Sequence, residues 1–184
     1  DDYFLNKYFN KNMNIIVNEY PSPSLRNRLK KLGFENISIV PKEGIKNFKD
    51  FEVTSIFDEE LSNDDVGMTF RDEKYCVYHG NDNWFPLKDK NLSKLKAFAS
   101  KKKFLYCSQT NSASGHPITY PQFGKQMNQV LKTKVKKMLS AGLKNVEKLN
   151  ADYFFPYAGF SKSYVKNRDY HLSAFEPTYE NLKK

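Results

Sequence analysis

Hydrophobic and polar positions follow two different periods along this chain, and the two periods predict strands and helices in alternation. Short runs rich in β-branched and aromatic residues predict strands, whereas apolar residues three or four positions apart predict helices. The predicted strands are 14–17, 36–40, 51–56, 66–70, 74–78, 104–107 and 152–155. The predicted helices are 25–32, 92–98 and 123–149, with Ser24 as an N-cap and Gly142 as an interruption of the longest. This order is typical of an α/β layered domain.

The pattern also predicts how these elements are arranged. We expect two sheets between outer helices, with strand 74–78 central because it is apolar throughout, and helix 123–149 external because it is apolar on one side. The turn at 71–73 predicts a hairpin between its flanking strands. With 184 residues, 15 Phe and 12 Tyr, the chain has the size of a single domain spanning 1–184.

Charge and cysteine content narrow the possible functions. The formal charge is +9, and part of it is concentrated at 101–103 and 132–137, where we expect solvated helix faces. This charge is compatible with small anionic substrates. Nucleic acid is not the expected partner. Cys76 and Cys107 lie within apolar strands, and we expect both to be buried and unpaired. The sequence contains neither a signal peptide nor an apolar run long enough for a membrane span, which predicts a cytoplasmic protein without membrane contact.

The most distinctive stretch is the strand that ends at His79 and runs directly into Gly80, Asn81, Asp82 and Asn83. In α/β proteins, side chains at the carboxyl ends of strands project into a crevice where metal ligands and catalytic acids are found. A simple turn is the alternative, because Gly, Asn and Asp are also good turn formers. Three further loops, 62–65, 112–121 and 156–160, are polar or glycine-bearing, and we expect all four to form one rim.

The segments that carry a family resemblance are Asn63-Asp-Asp65, Gly80-Asn-Asp82, Ser112-Ala-Ser-Gly-His-Pro-Ile-Thr-Tyr-Pro121 and Tyr153-Phe-Phe-Pro-Tyr-Ala-Gly-Phe160. In this order they resemble the second half of the metallo-β-lactamase fold. Within that superfamily they are most similar to the lactamase-like domain of CMP-N-acetylneuraminate hydroxylase and its bacterial relatives. The resemblance implies an α/β fold, the C-terminal portion of an αββα sandwich.

The resemblance also implies roles for particular residues. Asp82 would bind an iron, manganese or zinc ion, and Asp64 and Asp65 would either bind the metal or orient a histidine that does. His79 would act as a ligand or as a catalytic acid or base, although a partly buried histidine bonded to a backbone carbonyl is an equal alternative. Three residues are expected to contact the substrate: His116, Tyr120 and Tyr157.

The chain departs from the superfamily pattern at two places. It lacks the His-x-His-x-Asp-His motif, so we expect a preceding segment or a partner chain to supply it. At position 158, where many hydrolases of this fold have a histidine ligand, this chain has an alanine. The hydroxylase relatives also have an alanine there. Its two cysteines and three histidines cannot hold a Rieske cluster, so an oxygenase of this kind would need an external iron–sulfur electron donor.

Three functions therefore remain open from the sequence. The first is a metal-dependent oxygenase or hydroxylase that acts on a nucleotide sugar or a similar anionic metabolite. The second is a metal-dependent hydrolase, in which metal-bound water attacks a phosphoester or amide. The third is a metal-free lactamase-like module whose basic helix binds nucleic acid or a protein.

Overall fold

The computed structural model describes residues 2–57, 66–110 and 126–157, without the side chains of 127, 128 and 131. The helices are α1 (Asp2–Tyr8), α2 (Ser24–Lys31), α3 (Asp89–Ala99) and α4 (Met127–Leu149). The strands are β1 (Ile15–Asn18), β2 (Ile37–Val40), β3 (Lys46–Asn47), β4 (Glu52–Phe57), β5 (Val66–Arg71), β6 (Tyr75–His79), β7 (Lys103–Gln109) and β8 (Tyr153–Tyr157). In these ranges, no helix has both the length and the apolar character of a membrane span.

The described strands form two sheets. Strands β1 and β2 are parallel and make a two-stranded sheet, and the other six pair in the order β3-β4-β5-β6-β7-β8. Pairing is antiparallel from β3 to β6 and parallel from β6 to β8. Strand β6 lies between β5 and β7, which confirms the prediction of a central strand over 74–78, and β5 and β6 form the predicted hairpin.

Helices α3 and α4 cover one face of the six-stranded sheet. Tyr78 and Tyr106 are fully buried there and stack with their ring centroids 5.0 Å apart. Leu95 of α3 and Leu149 of α4 belong to the same apolar cluster, whereas Leu143 on the outer side of α4 is exposed. The long helix is therefore external and one-sided, as predicted from its apolar stripe.

The opposite face of the sheet is covered unevenly. At β4, the buried Ser55 hydroxyl donates a 2.6 Å hydrogen bond to the Asn18 side chain of β1, and this bond joins the two sheets. Towards β8 the same face carries Tyr75, Tyr153 and Phe155, each more than half exposed. Strand 74–78 is thus central in the sheet without being buried on both faces.

Two local predictions were wrong. Ser24 is the first residue of α2, and the cap position is occupied by Pro23 with no side-chain cap hydrogen bond; Ser22 instead accepts a bond from the Ser24 amide at 3.3 Å. Helix α4 also runs through Gly142 without a break. A Cβ atom on Gly142 would lie 3.1 Å from the Phe154 ring, so this glycine allows close packing of the helix on β8.

Cys76 and Cys107 are both free and buried, as predicted, and they lie on opposite faces of the sheet. Burial raises the pKa of both thiols, that of Cys76 from 9.0 to about 12. The stabilising contribution of protonated Cys76 is therefore complete below about pH 9 and is lost as pH rises towards 12.

We expect thiol titration at pH 8 to find two thiols per denatured, unreduced chain and almost none in the folded protein; fewer than two after denaturation would contradict this.

Candidate functional site

Several strand ends meet at one edge of the six-stranded sheet. Phe57 at the end of β4 pairs with Val66 at the start of β5. His79 at the end of β6 pairs with Cys107, and Gln109 at the end of β7 pairs with Tyr157 at the end of β8. The residues that open or close five strands are therefore gathered at this edge. That the four polar loops form one rim there stays a prediction, because most of their residues lie outside the described ranges.

Four of the predicted site residues, Asp64, Asp65, His116 and Tyr120, lie outside the described residues. The described residues that flank them nevertheless lie at this edge: Phe57 and Val66 on either side of 58–65, and Thr110 directly before 111–125. That Asp82 lies close to Asp64, Asp65 and the 112–121 loop stays a prediction.

The backbone of the loop after β6 is fixed on the neighbouring strand. The Gly80 amide donates to the Cys107 carbonyl at 3.0 Å, and the Asn83 amide closes a turn onto the Gly80 carbonyl at 3.0 Å. A Cβ atom at position 80 would lie 3.1 Å from the Asn83 carbonyl oxygen and 3.3 Å from that of Cys107. Asn81 adopts the left-handed conformation with φ of 51°, which asparagine tolerates better than most residues. Glycine and asparagine are thus required by the tightness of this loop.

His79 is exposed and stacks on Tyr157, with ring centroids 4.6 Å apart and an angle of 14° between the planes. Its Nδ1 accepts a hydrogen bond from the Asn81 amide at 3.3 Å. In the neutral ring the proton then lies on Nε2, which makes this nitrogen a hydrogen-bond donor and a poor metal ligand. This geometry favours a hydrogen-bond donor over a metal ligand at His79, and the roles predicted for His79 as an acid or a base stay predictions.

Tyr157 joins β8 to the loop after β6. Its hydroxyl donates to the Asn81 carbonyl oxygen, and its pKa is raised, first by burial and then by the negative charge of Asp82. Because its ring is stacked on His79 and its hydroxyl is bonded to the loop, the contacts are those of a residue that holds the loop in place. Substrate binding by Tyr157 stays a prediction.

The side chain of Asp82 is exposed. We expected Asn81, Asn83 or backbone amides to hold its carboxylate, but in ranges 2–57, 66–110 and 126–157 no hydrogen bond to this carboxylate is seen. Its charge nevertheless acts on Tyr157, and its backbone carbonyl accepts the Trp84 amide at 3.1 Å. Asp82 therefore offers a carboxylate from a fixed backbone, and no residue in the described ranges occupies its oxygen atoms.

Asn83 is an unexpected feature of the loop. Asn83 is only 1% exposed, and among the residues that the structure describes neither its amide oxygen nor its amide nitrogen has a hydrogen-bond partner. Leaving a buried polar group unpaired costs about 1–3 kcal/mol, so such groups usually indicate a place for water, an ion or another ligand. Asn83 was expected to bond to Asp82, but its burial was not predicted, because an asparagine after Gly-Asn-Asp resembles an exposed turn residue.

Asn145 in α4 was also missed, although it anchors the segment that follows the loop. This buried side chain accepts a hydrogen bond from the Leu87 amide at 3.0 Å, and it donates to the Phe85 carbonyl at 3.1 Å and to the Tyr106 hydroxyl at 2.9 Å. It therefore fixes residues 85–87 against both the helix and the sheet. A polar residue within a helix pattern gives no sequence signal of such a role.

The donor chemistry at the edge fits part of a metal site. Asp82 supplies a carboxylate suitable for iron, manganese or zinc. Next to it in the chain, Asn83 supplies a buried side-chain amide that has no hydrogen-bond partner among the described residues. Nowhere in the described part of the chain do three or more His, Cys, Asp or Glu side chains lie together as a metal site would require. The described residues can thus contribute one metal ligand, and any complete site needs donors from elsewhere.

No protein-family model and no curated protein match this sequence. Among solved structures, the chain is similar to CmlA, a diiron β-hydroxylase from Streptomyces venezuelae, with a TM-score of 0.58 and 15% identity over 92% of this chain and 37% of that one. A variant of the same enzyme gives 0.57 and 16% identity, over 91% of this chain and 34% of that one. A proposed zinc-dependent hydrolase of the metallo-β-lactamase superfamily from Thermotoga maritima gives 0.45 and 13% identity, over 91% and 74%.

These likenesses establish the fold and nothing about the reaction. The chain has the predicted mixed α/β fold of the metallo-β-lactamase type. It spans little more than a third of the length of the hydroxylase CmlA. The more specific resemblance to CMP-N-acetylneuraminate hydroxylase stays a prediction.

Proposed function

We propose that this chain forms the C-terminal portion of a lactamase-fold domain in a metal-dependent enzyme that hydroxylates an anionic metabolite, such as a nucleotide sugar. Asp82 would be a metal ligand in this enzyme. The remaining ligands would come from Asp64, Asp65 and a histidine-bearing segment in a longer protein or a partner chain. An external iron–sulfur protein would supply the electrons.

One observation carries the proposal: at the edge where five strand ends meet, a loop with a fixed backbone carries the exposed carboxylate of Asp82, to which no residue in the described part of the chain is hydrogen-bonded. A catalytic carboxylate needs a backbone that holds its position, and the bonds from Gly80 to Cys107 and from Tyr157 to Asn81 supply this. Hydroxylation is chosen by analogy, because the solved structures with TM-scores above 0.5 are of an enzyme described as a diiron hydroxylase, and fold alone does not determine the reaction.

The other residues of the edge would serve the substrate and the protons. His79, whose Nδ1 accepts the Asn81 amide, is placed to donate a hydrogen bond from Nε2 to an oxygen atom of the substrate. His116 and Tyr120 would contact the substrate from the 112–121 loop. A bound metal would supply the oxidative chemistry, or would activate water if the reaction is hydrolytic.

Metal analysis of the full-length protein tests the proposal. We expect a redox-active metal, at one or two ions per chain, with substrate-dependent consumption of oxygen in the presence of a reducing iron–sulfur donor. Zinc content together with hydrolysis of a phosphoester would favour the hydrolase instead. A full-length protein that binds no metal after supplementation with iron, manganese and zinc would contradict both enzymes and leave the binding module.

A further inference from the structure

A groove lies between α4 and the segment Trp84–Pro86. Its main cavity has a volume of about 760 Å³, and a second cavity of about 460 Å³ adjoins it. Both cavities are lined by Trp84, Gln129, Thr133 and Lys137. The main cavity falls within the 300–1,000 Å³ that is usual for small-molecule sites.

The groove is strongly basic. Lys132, Lys136, Lys137 and Lys144 line the main cavity, and the described lining contains no acidic residue. Lys132 and Lys136 are one helical turn apart, about 6 Å along the axis, and so lie on the same side of the helix. Two ammonium groups at this spacing can reach the oxygen atoms of one phosphate chain.

Trp84 gives the groove a flat aromatic wall. Its ring stacks on Phe85 with centroids 4.0 Å apart and planes 21° from parallel. Its position is fixed further by the bond from its amide to the Asp82 carbonyl and by the bond from Asn145 to the Phe85 carbonyl. A fixed indole beside cations is the combination that binds a planar base joined to negatively charged phosphate groups.

We propose that this groove binds a nucleoside phosphate, with the base against Trp84 and the phosphates on Lys132 and Lys136. A row of lysines on an outer helix face would by itself indicate only solvation. The loop segment closes one side of that row and adds the indole, and this makes a pocket of ligand size. The proposal rests on the residues of the groove and requires no metal.

Fluorescence provides a site-specific test, because Trp84 is the only tryptophan of the chain. Titration with ADP, CDP and UDP is expected to change Trp84 emission saturably. Adenosine and tripolyphosphate, which lack the phosphate and the base respectively, should each bind more weakly than ADP. The variant Lys132→Gln/Lys136→Gln should weaken ADP binding about tenfold or more, through loss of two charge-assisted hydrogen bonds.

The matched control is Lys30→Gln/Lys31→Gln, which removes the same charge from the exposed end of α2 and should leave ADP binding unchanged. Equal weakening in both double variants would show non-specific attraction to a basic protein and would overturn the proposal. So would the absence of saturation by any of the three nucleotides. Displacement of ADP by a 12-nucleotide single strand at far lower concentration would instead indicate an extended surface for nucleic acid.

Metal content measured on the same samples separates this proposal from the enzymatic one. The Lys132→Gln/Lys136→Gln variant should keep the metal content of the unmodified full-length protein. Full metal with no nucleotide binding in the unmodified protein would refute the groove alone. Nucleotide binding without metal would support the groove and refute the enzyme.

Discussion

Replacing Asn145 with leucine is expected to destabilise the fold by about 3 kcal/mol or more. Leucine has the same branched arrangement of side-chain heavy atoms as asparagine but is bulkier, so the change removes hydrogen bonds without opening a cavity. It leaves the Leu87 amide, the Phe85 carbonyl and the Tyr106 hydroxyl without their Asn145 partner. Each unpaired buried group costs about 1–3 kcal/mol, and Tyr106 lies in the fully buried centre of the core.

Urea denaturation measures this loss as a lower midpoint with an unchanged slope. Asn27→Leu in α2 is the matched control, since Asn27 is exposed and its replacement should change stability by less than about 0.5 kcal/mol. A loss below about 1 kcal/mol for Asn145→Leu would mean that water takes over the three bonds. In that event Asn145 would not be the anchor of residues 85–87.

The sequence predicted most strands and the longer helices because their apolar residues must face one core. Strand β6 alternates buried Cys76 and Tyr78 with more exposed neighbours, and α4 buries one stripe, so period and burial agree. The failures occur where burial gives no signal. Helix α1 buries none of its residues, and β3 has only two residues. Neither element therefore has a recognisable periodic pattern of apolar residues.

Glycine and asparagine were the residues whose roles could not be read from the sequence. Gly142 was expected to break α4, yet it is needed for contact with Phe154. Asn83 and Asn145 were indistinguishable from surface asparagines, and both are buried. A polar side chain in a core is defined by the partners that tertiary structure brings to it, and one-dimensional patterns do not contain those partners.

The candidate site was predictable in outline because parallel strands end at a common edge. Its internal contacts depend on register: His79 meets Tyr157 because His79 pairs with Cys107 and the next strand places Tyr157 beside Gln109. A shift of one residue would turn these side chains to the other face. The stacking of His79 on Tyr157 and the raised pKa of Tyr157 follow from that register and could not be predicted without it.

The basic lysines of α4 were predicted as a solvated face. The structure shows that segment 84–86 packs beside them and that Trp84 lines the resulting groove. The charge pattern was thus correct, but its surroundings depended on the bonds that Asn145 makes to residues 85–87.

Asp82→Asn in the full-length protein is expected to remove activity and to lower metal affinity by about 100-fold or more, because loss of a ligand should exceed the 10–100-fold effect of losing an outer partner. Asparagine keeps the size of aspartate but removes the charge that makes a carboxylate a strong ligand. The fold should be nearly unaffected, since the Asp82 side chain is exposed and the loop is held by backbone bonds from Gly80 and Asn83.

Asp50→Asn is the matched control, because Asp50 is also exposed. It lies just before Glu52, where β4 begins, at the edge of the sheet opposite to the edge that carries the site. Metal content by mass spectrometry, turnover and the urea midpoint should all be unchanged in this control. If Asp82→Asn also kept normal metal and turnover, the loop after β6 would be only a turn. The nucleoside phosphate groove beside Trp84 would then be the principal candidate for function, because it depends on none of the groups that bind the metal.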